Sequence, residues 1–361
     1  MGMEEQYRHH ICSKYALPMN SRILSIVLPI YKVEDYLPAC LDSIYNQGIN
    51  EELFEVICVN DGSPDNSQRI LLDYAKKYSN LSIIEHPANL SLGKSRNDGL
   101  KAANGQYVWF VDSDDRIATG SIEKVLHLCT THKLDMLAFN FIRVYNDGKI
   151  RDYGSFYEDS GILTGDELIN SRFGNNFIYY LLGFSWLYVY NRQTLLENNL
   201  FFPEGCYHED SAYVCRALIH SKRVMSIADT LYLYRYNENS ASVQLSKRKS
   251  GRQVFDNVFF SGDLVEQLGH EFESINPEYG KILLNYARDD YYNRVGIMYL
   301  PLPYREKREF AALVKKNKDL VADKKRQMTF FNRLFAADHI PAVSFLAVPA
   351  YKCLKAIKRA L

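Results

Sequence analysis

The sequence predicts an α/β fold built on a largely parallel sheet, and two observations support this prediction. Over residues 22–141, short apolar runs typical of buried strands alternate with segments whose apolar residues recur at helical spacing. The first, second and fourth of these runs lead directly into polar residues. Because the carboxyl ends of parallel strands lie along one edge of a sheet, we expect these polar residues to meet there and form the ligand site.

The first three elements are predicted from apolar periodicity. Residues 22–30 form a continuous apolar run that ends near Pro29, which is typical of a buried strand. Residues 34–47 place apolar side chains at i, i+4 and i+8, beginning at Tyr36, which indicates a helix with one buried face. A second apolar run over residues 55–60 predicts the next buried strand.

The second strand leads into a turn that we expect to start the next helix. Ser63 is predicted to cap that helix, with Pro64 at its first position, because serine accepts a backbone N–H there and proline has no N–H to lose. The regular elements predicted after this helix are a strand over 81–85, a helix over 93–103, a strand over 106–111, a helix over 121–131 and a strand over 135–141.

The pattern becomes less regular after residue 141. Residues 143–164 are polar and loop-like, and an aromatic run around Trp186 is predicted to be buried core. A helix is predicted to open at residues 208–210, and residues 231–236 are expected to form a strand. Beyond about residue 250 the chain is predicted to be mostly helical.

Composition excludes several classes of protein. The 361 residues carry 43 basic and 43 acidic side chains, so an electrostatic affinity of the whole chain for nucleic acid is excluded. The seven cysteines form no C-x-x-C pair, which predicts buried free thiols in a reducing compartment rather than a disulfide framework or zinc knuckle. No 18-residue uncharged apolar run and no signal-like segment is found, so a cytoplasmic protein without a spanning helix is expected.

Basic charge is concentrated near the end of the chain. Residues 305–361 contain 14 Lys or Arg and 5 Asp or Glu. Within residues 340–361, basic and apolar side chains alternate at helical spacing, as in a helix that lies on an anionic membrane surface. A solvated helix packed on the protein body would show the same pattern, and both interpretations remain open.

Two polar motifs at strand ends suggest ligand chemistry. Asp112-Ser113-Asp114-Asp115 places three carboxylates within four residues, where a divalent cation bridging to a phosphate would relieve their repulsion. The alternative is a helix start, which also favours acidic residues. Asp61, in Asp-Gly-Ser, either accepts hydrogen bonds from a nucleoside or serves the turn alone.

Other nucleotide-binding signatures are not found. No G-x-G-x-x-G stands between the first strand and helix, which disfavours dinucleotide binding. Gly93-Lys94-Ser95 ends like a P-loop, but Pro87 occupies the place of the first glycine, which argues against an NTPase.

Taken in order, these motifs resemble those of the family 2 glycosyltransferases of GT-A fold. The resemblance covers about the first third of the chain, and a later match involves residues 202–205 and 208–210. The stretches that carry it are Ser25–Tyr31, Val59–Ser63, Asn89 through Gly93–Asn97 with Gly99, and Ala103–Asp115.

The resemblance implies a nucleotide-sugar donor, usually UDP-linked, and inversion at the anomeric carbon. It implies that Asp61 reads uracil, that Asp112 reaches the ribose or the metal, and that Asp114 binds Mn²⁺ or Mg²⁺. The nucleotide-binding set that it implies is Pro29, Tyr31, Asp61, Ser63, Lys94, Arg96, Asp112 and Ser113. Residues 89–93 are one residue longer than in many relatives, which puts any role of Asn89 in doubt.

A carboxylate must take the proton from the acceptor hydroxyl, and Asp210 is the first candidate, with Glu209 second. The alternative is that both only favour the N-terminus of the helix that follows. The predicted function is metal-assisted, inverting sugar transfer to a glycan or lipid-linked glycan hydroxyl in polysaccharide or glycoconjugate synthesis.

Two rival functions remain open. One is a non-catalytic nucleotide-sugar-binding protein of the same fold. The other is a nucleotidyltransferase, which would need a glycine-rich basic loop where this chain has Tyr31-Lys32-Val33-Glu34.

The predicted organisation has three parts, with no nucleic acid as partner. Residues 1–21 form an N-terminal extension and residues 241–361 a helical region with the basic tail. Between them, a GT-A domain over residues 22–240 has a nucleotide-binding part, 22–116, and an acceptor part, 117–240. The tail 340–361 offers a peripheral contact at the inner face of the membrane.

Overall fold

The computed structural model describes residues 22–145, 148–151, 156–173, 183–205 and 209–236, with a few positions between 266 and 284. The extension 1–21, the basic tail and His208 lie outside the described residues. The described positions between 266 and 284 are helical, in agreement with the prediction for that region.

A single mixed sheet of nine strands runs through the described part of the chain. Its strands are β1 Leu24–Ile30, β2 Phe54–Asn60, β3 Leu81–Glu85, β4 Tyr107–Phe110, β5 Arg116–Ile117, β6 Met136–Val144, β7 Ile150–Arg151, β8 Tyr188–Asn191 and β9 Val224–Arg235. Their order is β3-β2-β1-β4-β8-β6-β9-β5, and β7 pairs with β6.

The strand directions bring the carboxyl ends of most strands to one edge of the sheet. β1 is parallel to β2 and β4, and β2 is parallel to β3. β8 is antiparallel to both β4 and β6, so β6 and its parallel neighbour β9 point the same way as β1 to β4. The carboxyl ends of six strands therefore share one edge, which confirms the predicted α/β architecture.

The helices lie close to their predicted places. Those described are α1 Leu37–Tyr45, α2 Ser67–Lys77, α3 Leu92–Ala102, α4 Ser121–His132, α5 Gly165–Phe173, α6 Arg192–Glu197 and α7 Glu209–Ile219. The predicted face of α1 is confirmed, since Leu37, Cys40, Leu41 and Ile44 are buried. β1 and β2 are buried along their whole length, as expected of strands covered on both faces.

One predicted helix start is wrong. α2 begins at Ser67, and no side chain caps it at Asn66. The Ser63 hydroxyl instead donates to Asp65 Oδ1 and accepts from the backbone N–H of Lys32, 2.8 Å away. Both partners of the Ser63 hydroxyl lie outside the helix. Ser63 therefore stabilises the loops after β1 and β2 and does not cap α2.

The middle of the chain is more regular than predicted. β6 extends to Val144 and pairs with β7, so the predicted loop over residues 143–164 begins with strand structure. The four cysteines within the described residues, Cys40, Cys58, Cys129 and Cys215, are buried free thiols, as predicted. No helix of the described residues is long and apolar enough to span a bilayer.

Candidate functional site

The loop that follows β4 is anchored by its last aspartate. Asp115 is buried and accepts hydrogen bonds from the Tyr232 hydroxyl at 2.8 Å and the Arg235 backbone N–H at 2.6 Å. Burial, with the nearby charges of Asp114 and Asp112, raises the pKa of Asp115 well above its ordinary value. Asp115 therefore fastens the loop to β9 rather than facing a ligand.

Ser113 fastens the same loop to strand β1. Its buried hydroxyl donates to the backbone carbonyl of Pro29 on β1, at 2.7 Å. Asp112 and Asp114, in contrast, are only partly buried. Asp112 and Asp114 are consequently the carboxylates of this loop that remain near the surface.

Arg96 joins the two parts of the predicted site. Its Nη2 donates to Asp112 Oδ1 at 2.8 Å, and its Nη1 donates to Glu209 Oε1 and Asp210 Oδ1, both at 2.6 Å. The Arg96 side chain is 1% exposed, so its charge is compensated by carboxylates rather than by water. One guanidinium therefore holds the loop after β4 and the start of α7 together. Direct contact of Arg96 with a nucleotide stays a prediction.

The neighbours of Arg96 on α3 explain its position. Asn97 accepts a hydrogen bond from the Phe202 backbone N–H at 2.8 Å and donates to the Phe202 carbonyl at 2.9 Å. At Gly93, a Cβ would stand 2.3 Å from the Pro203 carbonyl oxygen. The glycine and asparagine of the motif thus let α3 approach the segment before α7, and this approach positions Arg96 at the carboxylates.

Asp210 and Glu209 differ in exposure and in partners. The Asp210 side chain is 15% exposed and that of Glu209 is 5% exposed. Asp210 Oδ2 accepts from both the backbone N–H and the hydroxyl of Ser185, each at 3.2 Å. Burial and the charge of Asp210 raise the pKa of Glu209 to about 8. Near neutral pH, Glu209 therefore retains a proton.

Asp61 is buried beneath the segment that follows β3. Its Oδ1 accepts from the backbone N–H of Leu90 at 2.8 Å, and its Oδ2 accepts from that of Ser91 at 3.1 Å. The ring Nδ1 of His86 lies 2.7 Å from Oδ1. Sequence reasoning missed His86, although it is the first residue after β3 and lies at the edge where ligand residues were expected.

The remaining predicted nucleotide residues lie along the same edge. Tyr31 follows β1 and is 40% exposed, as a base-stacking residue would need to be. The ammonium group of Lys94 contacts both carboxylate oxygens of Asp98, each at 2.6 Å. The binding roles of Tyr31 and Lys94 stay predictions.

An aromatic stack lies behind the loop that carries Asp112. Trp186 stacks on Tyr232, with ring centroids 4.4 Å apart, and on Tyr234, at 5.6 Å. The Tyr232 hydroxyl accepts a hydrogen bond from the Asp112 backbone N–H at 3.1 Å. The predicted aromatic core therefore extends to the backbone of the loop that carries Asp112.

The family is established by comparison with known proteins. Residues 25–193 match the profile of glycosyl transferase family 2. EpsH of Bacillus subtilis (strain 168), whose name is putative glycosyltransferase EpsH, is 30% identical over 246 residues, which cover 66% of this chain and 68% of EpsH. This chain belongs to glycosyl transferase family 2. The resemblance drawn from the motifs is confirmed.

Two further relatives show how much of such proteins the chain spans. The uncharacterized glycosyltransferase EpsJ of the same organism is 33% identical over 222 residues, 60% of this chain and 62% of EpsJ. TarS of Staphylococcus aureus (strain Mu50), named as a poly(ribitol-phosphate) beta-N-acetylglucosaminyltransferase, is 31% identical over 227 residues, 62% of this chain and 37% of TarS. The chain therefore spans less than two thirds of the length of EpsJ and of TarS.

The fold is confirmed by a solved structure. Residues 1–349 of S. aureus TarS, crystallised in complex with UDP-GlcNAc, superpose with a TM-score of 0.60 and 22% identity, covering 81% of this chain and 83% of that chain. The predicted GT-A architecture is thus confirmed for this member of the family.

Proposed function

We propose that this protein is an inverting, metal-assisted glycosyltransferase. It moves a sugar from a UDP-linked donor to a hydroxyl of a glycan or lipid-linked glycan, in polysaccharide or glycoconjugate synthesis. One observation carries the proposal: Arg96 contacts Asp112 on the donor side and Asp210 on the acceptor side. Membership of the family and the UDP-GlcNAc complex of TarS support the donor class.

The nucleotide is expected at the edge formed by the first strands. Pro29 and Tyr31 would flank the base and Asp61 would accept the N3–H of uracil, while Ser63 and Ser113 hold the surrounding loops together. Lys94 would lie close to the nucleotide, held there by Asp98. The exposed ring of Tyr31 is suited to stacking because its face is open to solvent.

The proton is expected to pass to Asp210. As the acceptor oxygen bonds to the anomeric carbon, Asp210 takes the proton of that hydroxyl, and the bond from the anomeric carbon to the UDP oxygen breaks. Attack from the face opposite to UDP inverts the anomeric carbon. Glu209 retains its own proton near neutral pH, which leaves Asp210 as the base.

A divalent cation fits the carboxylates that remain near the surface. Among the described residues, no group of three or more His, Cys, Asp or Glu is arranged to hold a metal ion. Asp114 and Asp112 nevertheless supply two oxygen donors, and Mg²⁺-type sites often combine one or two carboxylates with substrate phosphates. When bound, Mn²⁺ or Mg²⁺ would stabilise the charge that develops on the leaving diphosphate.

Transfer assays with a panel of nucleotide-sugars, with and without Mn²⁺, test the proposal. Asp114→Ala should abolish turnover and remove the Mn²⁺ dependence of UDP binding measured by calorimetry. Asp73→Ala, on the exposed face of α2, is the matched control and should change neither. Metal-dependent binding that persists in Asp114→Ala would contradict the metal assignment, and UDP binding without transfer from any donor would favour the non-catalytic alternative.

We also propose that the basic tail brings the protein to an anionic surface where a lipid-linked acceptor is found. Each basic residue near such a surface contributes about 1 kcal/mol, and salt screens this attraction. The full chain should therefore sediment with anionic vesicles at low salt and be released at high salt. A chain ending near residue 338 should bind vesicles less while keeping its affinity for UDP. Unchanged vesicle binding with a lower melting temperature would instead support a tail packed on the body.

A further inference from the structure

His86 lies between two carboxylates in the interior of the nucleotide side. Its side chain is 7% exposed. Its Nδ1 is 2.7 Å from Asp61 Oδ1, and its Nε2 is 3.0 Å from Asp98 Oδ2. Both ring nitrogens are thus within hydrogen-bond distance of a carboxylate oxygen, an atom that accepts hydrogen bonds. The two carboxylates therefore fix the position and orientation of the imidazole ring.

The charges around His86 come from three elements. Asp61 follows β2, while Asp98 and Lys94 both belong to α3. Lys94 pairs with Asp98 at 2.6 Å, and Lys101 lies 3.5 Å from the same carboxylate. Glu85, the neighbour of His86 on β3, is exposed. Asp98 thus has Lys94 and Lys101 on the solvent side, whereas Asp61 contacts the His86 ring.

His86 also determines which oxygen of Asp61 remains available. The Oδ1 atom of Asp61 contacts the His86 ring and accepts a hydrogen bond from the Leu90 backbone N–H. The Oδ2 atom accepts a hydrogen bond from the Ser91 backbone N–H. A carboxylate oxygen has two lone-pair directions, so Oδ2 retains one for a ligand. The His86 contact thereby orients the Asp61 carboxylate.

The backbone of residues 88–91 packs against Asp61 and is held in place by it. Ser91 has φ 109° and ψ 156°, a strained conformation that non-glycine residues rarely adopt. At Gly62, a Cβ would meet the Ala88 carbonyl carbon at 2.6 Å, so residues 88–89 lie directly against the turn after β2. Asp61 holds the Leu90 and Ser91 N–H groups in place, and His86 holds Asp61.

We propose that His86 is a positioning residue for recognition of the nucleotide base, acting through Asp61 with Asp98 as its anchor. The ligand class is a nucleoside diphosphate whose base carries an N3–H, as uracil does and cytosine does not. The inference rests on the proposed function, because it deepens the role that was assigned there to Asp61.

UDP and CDP binding to the full chain, measured by calorimetry with Mn²⁺ present, tests this role. His86→Gln should weaken UDP binding roughly 10–100-fold. This is the range seen when the partner that orients a metal-ligating side chain is removed, and the same orienting effect is expected here. CDP binding should change less, so the preference for UDP over CDP should fall. The matched control is His127→Gln, on the exposed face of α4, which should leave both affinities unchanged.

The anchor of His86 provides a second readout that a purely structural role would not move. Asp98→Leu leaves Nε2 without this partner, so both the UDP affinity and the preference for UDP over CDP should fall. In Asp98→Asn, the side-chain amide can keep a hydrogen bond to Nε2 while Nδ1 still contacts Asp61. Asp98→Asn should therefore keep more of the preference for UDP than Asp98→Leu.

The outcomes separate the inference from the proposed function. Absence of UDP binding by the unaltered protein would overturn the proposed donor. Normal UDP binding with unchanged affinity and UDP-to-CDP preference in His86→Gln would overturn the positioning role, even if the melting temperature fell. If His86→Gln does not fold, the Asp98 variants decide, and an equal UDP-to-CDP preference in Asp98→Leu and Asp98→Asn would contradict the proposal.

Discussion

Residues 22–116, proposed to bind the donor, and the described residues of 117–236, proposed to bind the acceptor, build their parts of the candidate site in different ways. We call them the donor half and the acceptor half. In the donor half, each candidate residue closely follows its own strand, as Tyr31 follows β1 and Asp61 follows β2. In the acceptor half, partners come from distant segments, as when Ser185 donates to Asp210 and Trp186 stacks on Tyr232. Local order in the sequence therefore identifies donor residues, whereas acceptor residues depend on tertiary packing.

Arg96 connects the two halves, and its loss should have the largest effect. Arg96→Gln should lower the free energy of unfolding by about 3–5 kcal/mol, because Asp112 and Asp210 would lose their cation and the buried Glu209 would lose a hydrogen-bond donor. Chemical denaturation measures this change. The control is Arg69→Gln, at an exposed position of α2. An equally small loss of stability in both variants would show that Arg96 does not hold the halves together.

The next effect concerns the acceptor half alone. Asp210→Asn keeps the shape of the side chain but removes the base, so kcat should fall by roughly 10²-fold or more. UDP affinity should change little, because Asp210 is assigned to the acceptor side. Transfer kinetics and calorimetry on the same preparation measure the two quantities, with Glu209→Gln as the parallel variant. Retained activity in Asp210→Asn and loss in Glu209→Gln would reverse the assignment.

The close approach of α3 to the acceptor segment can be tested by adding a methyl group. Gly93→Ala should destabilise the fold by about 1–3 kcal/mol, since its Cβ would meet the Pro203 carbonyl oxygen at 2.3 Å. Gly161→Ala is the control, because nothing lies within 4 Å of a Cβ there. Equal melting temperatures for the two variants would contradict a tight contact between the halves.

The smallest effect concerns the pH dependence of stability. The pKa of Glu209 is raised from 4.5 to about 8, chiefly by burial. The folded protein therefore keeps this proton while the unfolded chain loses it, so the contribution is full below about pH 4.5 and is lost as pH rises to about 8. Glu209→Gln should show a shallower decline in stability over this range. A slope equal to that of the unaltered protein would show that Glu209 does not titrate in this way.

The contrast between the halves also explains how far sequence reasoning reached. The strands β1, β2 and β4 were predictable because each is a continuous buried run, and the Asp112–Asp115 cluster was predictable because it closely follows β4. Ser63 was misassigned as a cap, because a turn serine has several backbone partners and only the structure shows that it bonds Asp65 and Lys32.

Two features could not be read from the sequence at all. The contact of Arg96 with Glu209 joins residues 113 positions apart, and no local pattern encodes such a pairing. His86 belongs to no recognisable motif, since its role arises from carboxylates that follow β2 and lie on α3. Both depend on how α3 packs, which is a property of the assembled sheet.

The antiparallel strand β8 has a consequence for motion during a reaction cycle. β8 pairs with β4 of the donor half along one side and with β6 of the acceptor half along the other. Opening a cleft between the halves as rigid bodies would break one of these ladders. We therefore expect no hinge-bending step, and we expect substrate access to be controlled by nanosecond-to-microsecond movements of loops and side chains at the sheet edge. The rate of product release should accordingly change when those loops are altered. It should not be limited by a rotation of one half against the other.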